Sequence, residues 1–277
     1  YERFVDLIYF ESDNYGLKKL LNKKNLIVIF NDLFIKSFFF EKLIKRINPK
    51  KIFMLGYYND IIFPLNNACF KLNIDNIDLQ HGPNSDYHAA YGNWSNVPKN
   101  GYQLIPKTFW LWNNIGSGSL INWCDSNSHH RTIIYGNPWI DYIKDFRVNN
   151  NKIDYEYFLY TLQPLDLEDL FPENLLNLIR HYKYKWLIRL HPLQFPQKDA
   201  IIKFFNEEKL AHKISIDSVS EIPLPILLSN CILHISNYSG SVLESFILNK
   251  FSLILHEIGS ENFKKIIELN AAIYINS

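Results

Sequence analysis

Glycine is scarce in this chain, 10 of 277 residues, and no Gly-x-Gly-x-x-Gly or Gly-x-x-x-x-Gly-Lys run occurs among them. The dinucleotide-binding fingerprint and the P-loop are therefore missing. A Gly-x-Ser-x-Gly nucleophile elbow is missing too, because Asn237-Tyr238-Ser239-Gly240-Ser241 lacks its first glycine. Cysteine is limited to Cys69, Cys124 and Cys231, with no Cys-x-x-Cys pair, which reads as free buried thiols in a reducing, cytoplasmic compartment. In that compartment the Asn-x-Ser triplets at Asn93 and Asn237 carry no glycan. Charge of one sign is also lacking. Lys and Arg number 29 against 28 Asp and Glu, so no global field steers the chain to nucleic acid. No apolar run reaches membrane-spanning length, and no signal peptide is visible. Metal-ligand spacing is absent: His129-His130 are adjacent and share one ion poorly, and no Asp-x-Asp stands at a strand end. Ala is scarce as well, while Asn, Lys and Ile abound, a base-composition signature that carries no function. The chain opens at Tyr1 without a methionine and ends at Ser277 after a strand-like run, which reads as a piece of a longer protein.

What is present is a core's worth of apolar residues (47% hydrophobic, 16% aromatic) arranged in alternating strand-like and helix-like segments. In the first half the pattern predicts strands at residues 7–10, 25–30, 51–55, 74–79, 108–112 and 132–135. Helices are predicted over 34–47 and 64–72, with a helix start over 117–124. Residues 84–106 form a long polar and aromatic loop, of the length that is usually functional or mobile. Its neighbourhood holds Tyr87, Tyr91, Trp94, Tyr102 and Trp110, which suit either sugar stacking or a core. Residues 139–153, with Asn149-Asn150-Asn151, read as a hinge. The second half predicts strands at 157–162, 185–190, 212–216, 231–235, 251–256 and 271–275, separated by helices. The expectation is an α/β protein of two Rossmann-like domains with parallel sheets and a cleft between them, split as 1–145 and 146–277.

Ligands of parallel doubly wound sheets bind at the carboxyl ends of the strands. The sharpest such end is Cys231 to Phe246. An apolar strand runs into a small polar turn, Ser236 to Ser241, and then into a helix carrying Val242, Leu243, Phe246 and Ile247. Peptide N–H groups and hydroxyls there suit an anion, most often a phosphate, and Gly240 admits close approach; an ordinary serine N-cap explains the same residues. A second strand end carries Arg189-Leu190-His191-Pro192. Arg189 and His191 alternate, share a face and could hold the same phosphate, with Pro192 turning the chain away; a surface arginine and a capping histidine are the plain alternative. Glu244, one turn into the helix, could accept from a ribose diol or simply favour the helix start. In the first half, Gln80-His81-Gly82 closes a strand. His81 suits a general base and Gly82 permits close approach of an acceptor, although a turn histidine before Gly-Pro would look the same. Asp86 and His88 in the following loop, and Asp32 at the end of the 25–30 strand, are weaker candidates on the same rim.

With these residues placed, the chain resembles GT-B glycosyltransferases. More narrowly, it resembles bacterial transferases of capsule, lipopolysaccharide and teichoic-acid synthesis. The resemblance rests on Arg189-Leu190-His191-Pro192, on Ser239-Gly240-Ser241-Val242-Leu243-Glu244 and on His81-Gly82, in the expected order. It implies a metal-independent transferase moving a sugar or polyol-phosphate from a nucleotide-activated donor, a cytidine-linked one being favoured, to an oligosaccharide or lipid-linked acceptor. Ser236, Ser239, Gly240, Ser241, Glu244, Arg189, His191 and Pro192 would hold the donor nucleotide. His81 would deprotonate the acceptor, with Gln80, Gly82 and His88 on the acceptor side. No cofactor beyond the donor is implied, and peripheral contact with the inner face of the membrane follows from lipid-linked acceptors. The acidic Asp/Glu-Asp-Gly motif of sialyl- and Kdo-transferases is absent, which moves weight to His81. Two other readings stand beside this one. One is a sugar-nucleotide epimerase of the same two-domain shape, which needs no acceptor. The other is a non-catalytic module that binds a glycan or a partner.

Overall fold

The computed structural model describes residues 6, 8–12, 22–86, 88–145, 153–216 and 221–275. The chain divides into two compact units. One comprises Tyr1–Gln80, Ser95–Trp110 and Ile121–Ile133; the other comprises His81–Trp94, Leu111–Leu120 and Ile134–Ser277. Each is built on a parallel sheet.

In the first unit a long helix, α1 (Lys23–Ile47), precedes β1 (Lys51–Met54), α2 (Ile62–Leu72) and β2 (Asp75–Leu79). Then come β3 (Thr108–Leu111), α3 (Gly118–Asp125) and β4 (Arg131–Ile134). The sheet order is β1-β2-β3-β4, and the registers Lys51↔Asp75 and Ile77↔Thr108 are parallel. Two expected strands are corrected. Residues 25–30 are the first turns of α1, and residues 8–12 are helical rather than extended. The reason is local. The Asn22 side chain caps the helix by accepting from the Lys24 and Asn25 N–H groups, and neither glycine nor proline interrupts the chain until Pro49. Asn31-Asp32, read as a strand end, costs a helix interior only tenths of a kcal/mol, roughly the propensity difference of such residues. The helix ends at Asn48, left-handed at φ 52°, whose N–H bonds the Ile44 carbonyl. On its inner side Ile44 and Phe40 meet Ala68, Cys69 and Leu72.

In glycine's absence, asparagine takes the left-handed positions: Asn48, Asn73, Asn249 and Asn270 each follow a helix at φ between 52° and 56°. Asparagine is the side chain that tolerates this region best after glycine.

In the second unit, α4 (Pro138–Asp145) occupies the start of the expected hinge, and residues 149–151 lie outside those described. The chain continues with β5 (Tyr157–Thr161), α5 (Leu167–Leu170), α6 (Glu173–His181), β6 (Lys185–Arg189), a 3-10 turn (Pro192–Gln197) and α7 (Lys198–Glu207). It then forms β7 (Ile214–Ser215), α8 (Leu224–Asn230), β8 (Leu233–Ser236), α9 (Ser241–Ile247) and β9 (Ser252–Ile254), and closes with α10 (Glu257–Asn262), α11 (Lys264–Glu268) and β10 (Ala272–Tyr274). Strand order is β10-β9-β8-β5-β6-β7, parallel throughout. This is the doubly wound order, with the chain reversing direction between β5 and β8.

Every residue of β5 is buried, as a strand covered on both faces requires. Phe158 and Tyr160 point into one core layer with Trp186, Ile188, Phe171 and Phe205. Tyr157 and Leu159 point into the other, with Leu187, Leu227 and Leu228. The two layers alternate along the strands with the period of two that a pleated sheet imposes. Among the described residues, no helix is long and apolar enough to cross a membrane.

Candidate functional site

The reversal between β5 and β8 opens a crevice at their carboxyl ends, and a cavity of about 370 Å³ lies there. All its lining residues belong to the second unit. Of the residues singled out in sequence, it brings together His81, Gly82, His88, His191, Ser239, Gly240, Ser241 and Glu244. Gln163 reaches it from the end of β5, and Tyr238 and Leu224 from the second half.

The turn after β8 is held from below. The Ser236 Oγ donates to the Thr161 carbonyl (3.3 Å) and accepts from the Ser239 N–H (3.2 Å). The Ser239 Oγ accepts from the Ser241 N–H (3.3 Å), and the buried Tyr160 hydroxyl donates to the Asn237 side chain (2.7 Å). A Cβ on Gly259 would lie 2.1 Å from the Asn237 carbonyl oxygen, so only glycine lets α10 pack against the turn. A Cβ on Gly240 would come within 3.3 Å of the Gly82 Cα, which is how closely the turn approaches the His81-Gly82-Pro83 loop.

The helix α9 that follows this turn is seven residues long, and one expectation about the turn is corrected. The Ser241 hydroxyl is turned inward, 2.8 Å from the Thr161 Oγ1 and 3.2 Å from the His234 Nε2, which leaves the Ser239 hydroxyl as the exposed one of the pair.

The histidines carry defined tautomers. The His191 Nδ1 accepts the Leu193 N–H at 3.2 Å and caps the 3-10 turn that Pro192 opens; the His191 backbone N–H donates to the Gln194 Oε1. The His88 Nδ1 accepts the Ala90 N–H at 3.2 Å. A ring nitrogen that accepts carries no proton, so both imidazoles keep theirs on Nε2 and act as N–H donors from that side. Burial holds the His88 pKa below its ordinary value, and the neighbouring His81 pushes the same way. Glu244 is pushed up to about 7 by burial, opposed by the charge of Arg189. A carboxyl in that range exchanges a proton readily near neutral pH.

The remaining candidates sit elsewhere. Arg189 gives its Nη1 to the Ile222 carbonyl (2.7 Å) and lies near Glu244; it is not among the cavity's lining residues. Ser236 and Pro192 brace the site without lining it. Gln80 is buried in the first unit, its N–H bonded to the Trp110 carbonyl. Asp86 accepts the Ser119 N–H at the start of α3 (3.3 Å) and faces a different cavity, with Lys264 and Lys265. Asp32 is a correction in placement: it rides the middle of α1, paired with Lys36 at 2.6 Å, and not a strand end. Of the aromatics, Tyr91 is buried and lines the cavity, Trp94, Tyr102 and Trp110 are partly buried, and Tyr87 lies outside the described residues. Sequence reasoning missed Gln163, although its place after β5 was the signal, and it missed Thr161 and His234 beneath the turn. Among the described residues, no group of three or more His, Cys, Asp or Glu is placed to hold a metal ion.

No protein-family model matches the chain, and no curated protein matches it. Solved structures do. The UDP-GlcNAc 2-epimerase of Methanocaldococcus jannaschii, in complex with UDP-GlcNAc and UDP, superposes with a TM-score of 0.59 at 19% identity, over 87% of this chain and 69% of that one. S. aureus MnaA with UDP matches at TM-score 0.59 and 16% identity, over 86% and 65%. The UDP-GlcNAc 2-epimerase of Neisseria meningitidis, bound to UDP-GlcNAc, matches at 0.57 and 14%, over 86% and 66%. The chain thus spans about two thirds of the length of these structures. The likeness is one of fold, and it establishes the α/β architecture of two Rossmann-like parallel sheets. It also overturns the main functional expectation. Structures named as UDP-GlcNAc 2-epimerases share the fold at these scores, so the surface-polysaccharide glycosyltransferase, with its cytidine-linked donor, gives way to the epimerase reading weighed beside it.

Proposed function

We propose that this chain is the greater part of an epimerase acting on a nucleoside diphosphate sugar, with a uridine nucleotide as the first candidate. One observation carries the reading: a single cavity at the β5/β8 reversal gathers a serine-rich turn, two imidazoles locked as N–H donors and a carboxyl with its pKa about 7. The fold supports it, since the matching solved structures hold UDP or UDP-GlcNAc.

Epimerisation breaks one C–H bond and returns the proton to the opposite face of the carbon. A ring C–H beside the anomeric carbon has no carbonyl to acidify it, so its loss is tied to departure of the anomeric phosphate. The site must therefore hold a leaving diphosphate and move a proton. The Ser239 hydroxyl and the His191 Nε2–H suit the diphosphate, as preorganised donors. His81, which also lines the cavity, suits proton transfer, and the His88 Nε2–H is a further donor. Glu244, on α9, suits the ribose diol, which needs an acceptor.

The test needs no acceptor substrate. Purified protein is incubated in D2O with UDP-GlcNAc alone and followed by proton NMR. The expected result is a second UDP-sugar, inverted at one carbon and carrying deuterium there. If UDP-GlcNAc and a panel of other nucleotide sugars show neither a new epimer nor exchange, the proposal fails.

A further inference from the structure

Beneath the cavity lies a histidine that no ligand can touch. His234 is wholly buried in β8. Its Nδ1 lies 2.8 Å from the Ser252 Oγ of β9, and its Nε2 lies 2.9 Å from the Thr161 Oγ1 of β5 and 3.2 Å from the Ser241 Oγ of α9. The Thr161 and Ser241 hydroxyls also meet at 2.8 Å. Thr161 therefore grips both ends of the turn. Its carbonyl holds Ser239 through the Ser236 hydroxyl, and its own hydroxyl holds Ser241. His234 is the hub that ties this grip to three strands and a helix.

We propose that His234 is a positioning residue that fixes the Ser239–Ser241 turn in the geometry that receives the phosphate of the nucleotide. The idea rests on the epimerase reading for the identity of the ligand. It explains why the Ser241 hydroxyl faces inward: its partner is the scaffold, and its task is to hold its own peptide group and that of Gly240 in place. An apolar residue at 234 would leave the buried Thr161, Ser241 and Ser252 hydroxyls short of a partner, and they would seek others by moving the turn. Burial lowers the His234 pKa to about 3, so the ring stays neutral and serves as one donor and one acceptor.

The experiment compares two probes, UDP and uridine, on the wild type and on His234→Gln, His234→Asn and Thr161→Val, well below each melting temperature. Glutamine can reproduce the imidazole Nε2, whereas asparagine reproduces only Nδ1. The expected outcome is that His234→Gln keeps UDP affinity, while His234→Asn and Thr161→Val bind UDP about tenfold more weakly, a difference of about 1.4 kcal/mol. Uridine affinity should stay constant across the set. If UDP and uridine weaken in equal proportion, or glutamine fails to rescue, the role is structural and the proposal is overturned. Thr161→Val keeps the test available should the His234 variants not fold. A wild type that binds UDP without epimerising it sinks the proposed activity alone. A wild type that binds no UDP sinks both.

Discussion

The edge strand β1 of the four-stranded sheet buries only Met54 and leaves Phe53 54% exposed, whereas β5 and β9 of the six-stranded sheet bury every residue. The contrast extends to the helices. α1 shows Val28, Ile29, Ile35, Phe38 and Phe39 to solvent, while α6 and α7 insert Leu175, Leu176, Ile179, Ile201 and Phe205 into the core. A sheet covered on both faces holds its loop ends rigidly, because each strand is pinned from above and below. That is where the candidate cavity sits, and where a buried polar network can be afforded only because every member finds a partner.

The difference between the two regions can be probed by acid first, where the largest effect is expected. The folded pKa of His234 is depressed from 6.5 to about 3, so on acidification the unfolded chain takes up a proton that the folded one refuses. Its contribution is present above pH 6.5 and is lost as pH falls towards 3, at about 1.4 kcal/mol per pH unit and about 5 kcal/mol in all. In the first unit His130 has the same sign over a shorter range. It is buried, its Nε2 accepts the Tyr102 N–H, and its pKa is lowered to about 4. Urea midpoints at pH 7 and pH 4.5 for the wild type, His234→Gln and His130→Gln separate the shares of the two units. Variants whose pH dependence in this window equals the wild type's would contradict both assignments.

Core truncation should sharpen the contrast. Leu159→Ala, in a fully buried strand position, is expected to cost about 2–5 kcal/mol. Phe39→Ser, on the exposed side of α1, should change stability by less than about 0.5 kcal/mol. Denaturant midpoints measure both. Equal costs would mean that α1's outer face is covered in the intact protein.

Glu244 tests the cavity itself. Its folded pKa is raised from 4.5 to about 7, so the stability of its protonated form is present below pH 4.5 and is lost as pH rises to 7. Glu244→Gln should therefore be more stable than wild type above pH 7 by up to about 3 kcal/mol, with no difference below pH 4.5. Uridine nucleotides should bind it more weakly. Gain of stability with loss of affinity marks a residue kept for its ligand. The smallest effect is expected at Asp32, whose ion pair with Lys36 is solvent-exposed. Asp32→Asn should shift stability by less than about 0.5 kcal/mol and leave turnover unchanged. A large loss of turnover would return it to the site.

Much of this was legible in the residues. The strand-turn-helix at 231–247, the break at His191-Pro192 and the strand end at His81-Gly82 all follow from rules that act over a few positions: period, proline, small polar turns. Two strands were misread because an apolar run of four to six residues fits a helix as well as a strand, and for residues 25–30 Asn22 decided the matter by capping α1. Arg189, expected at a phosphate, gives one of its donors to the Ile222 carbonyl 33 residues away, a contact that nothing in its own stretch reveals.

By itself the sequence determined that this chain alternates strand and helix, and which of its strand ends carry polar chemistry. Tertiary structure alone decided that β5 and β8 would be neighbours, that the Ser241 hydroxyl would face inward and that the Ser239 hydroxyl would be the more exposed of the pair. The physical reason is distance along the chain. Caps and turns are settled within about four residues, whereas the partners that fix this cavity, Thr161 with Ser241 and Tyr160 with Asn237, are 80 and 77 residues apart.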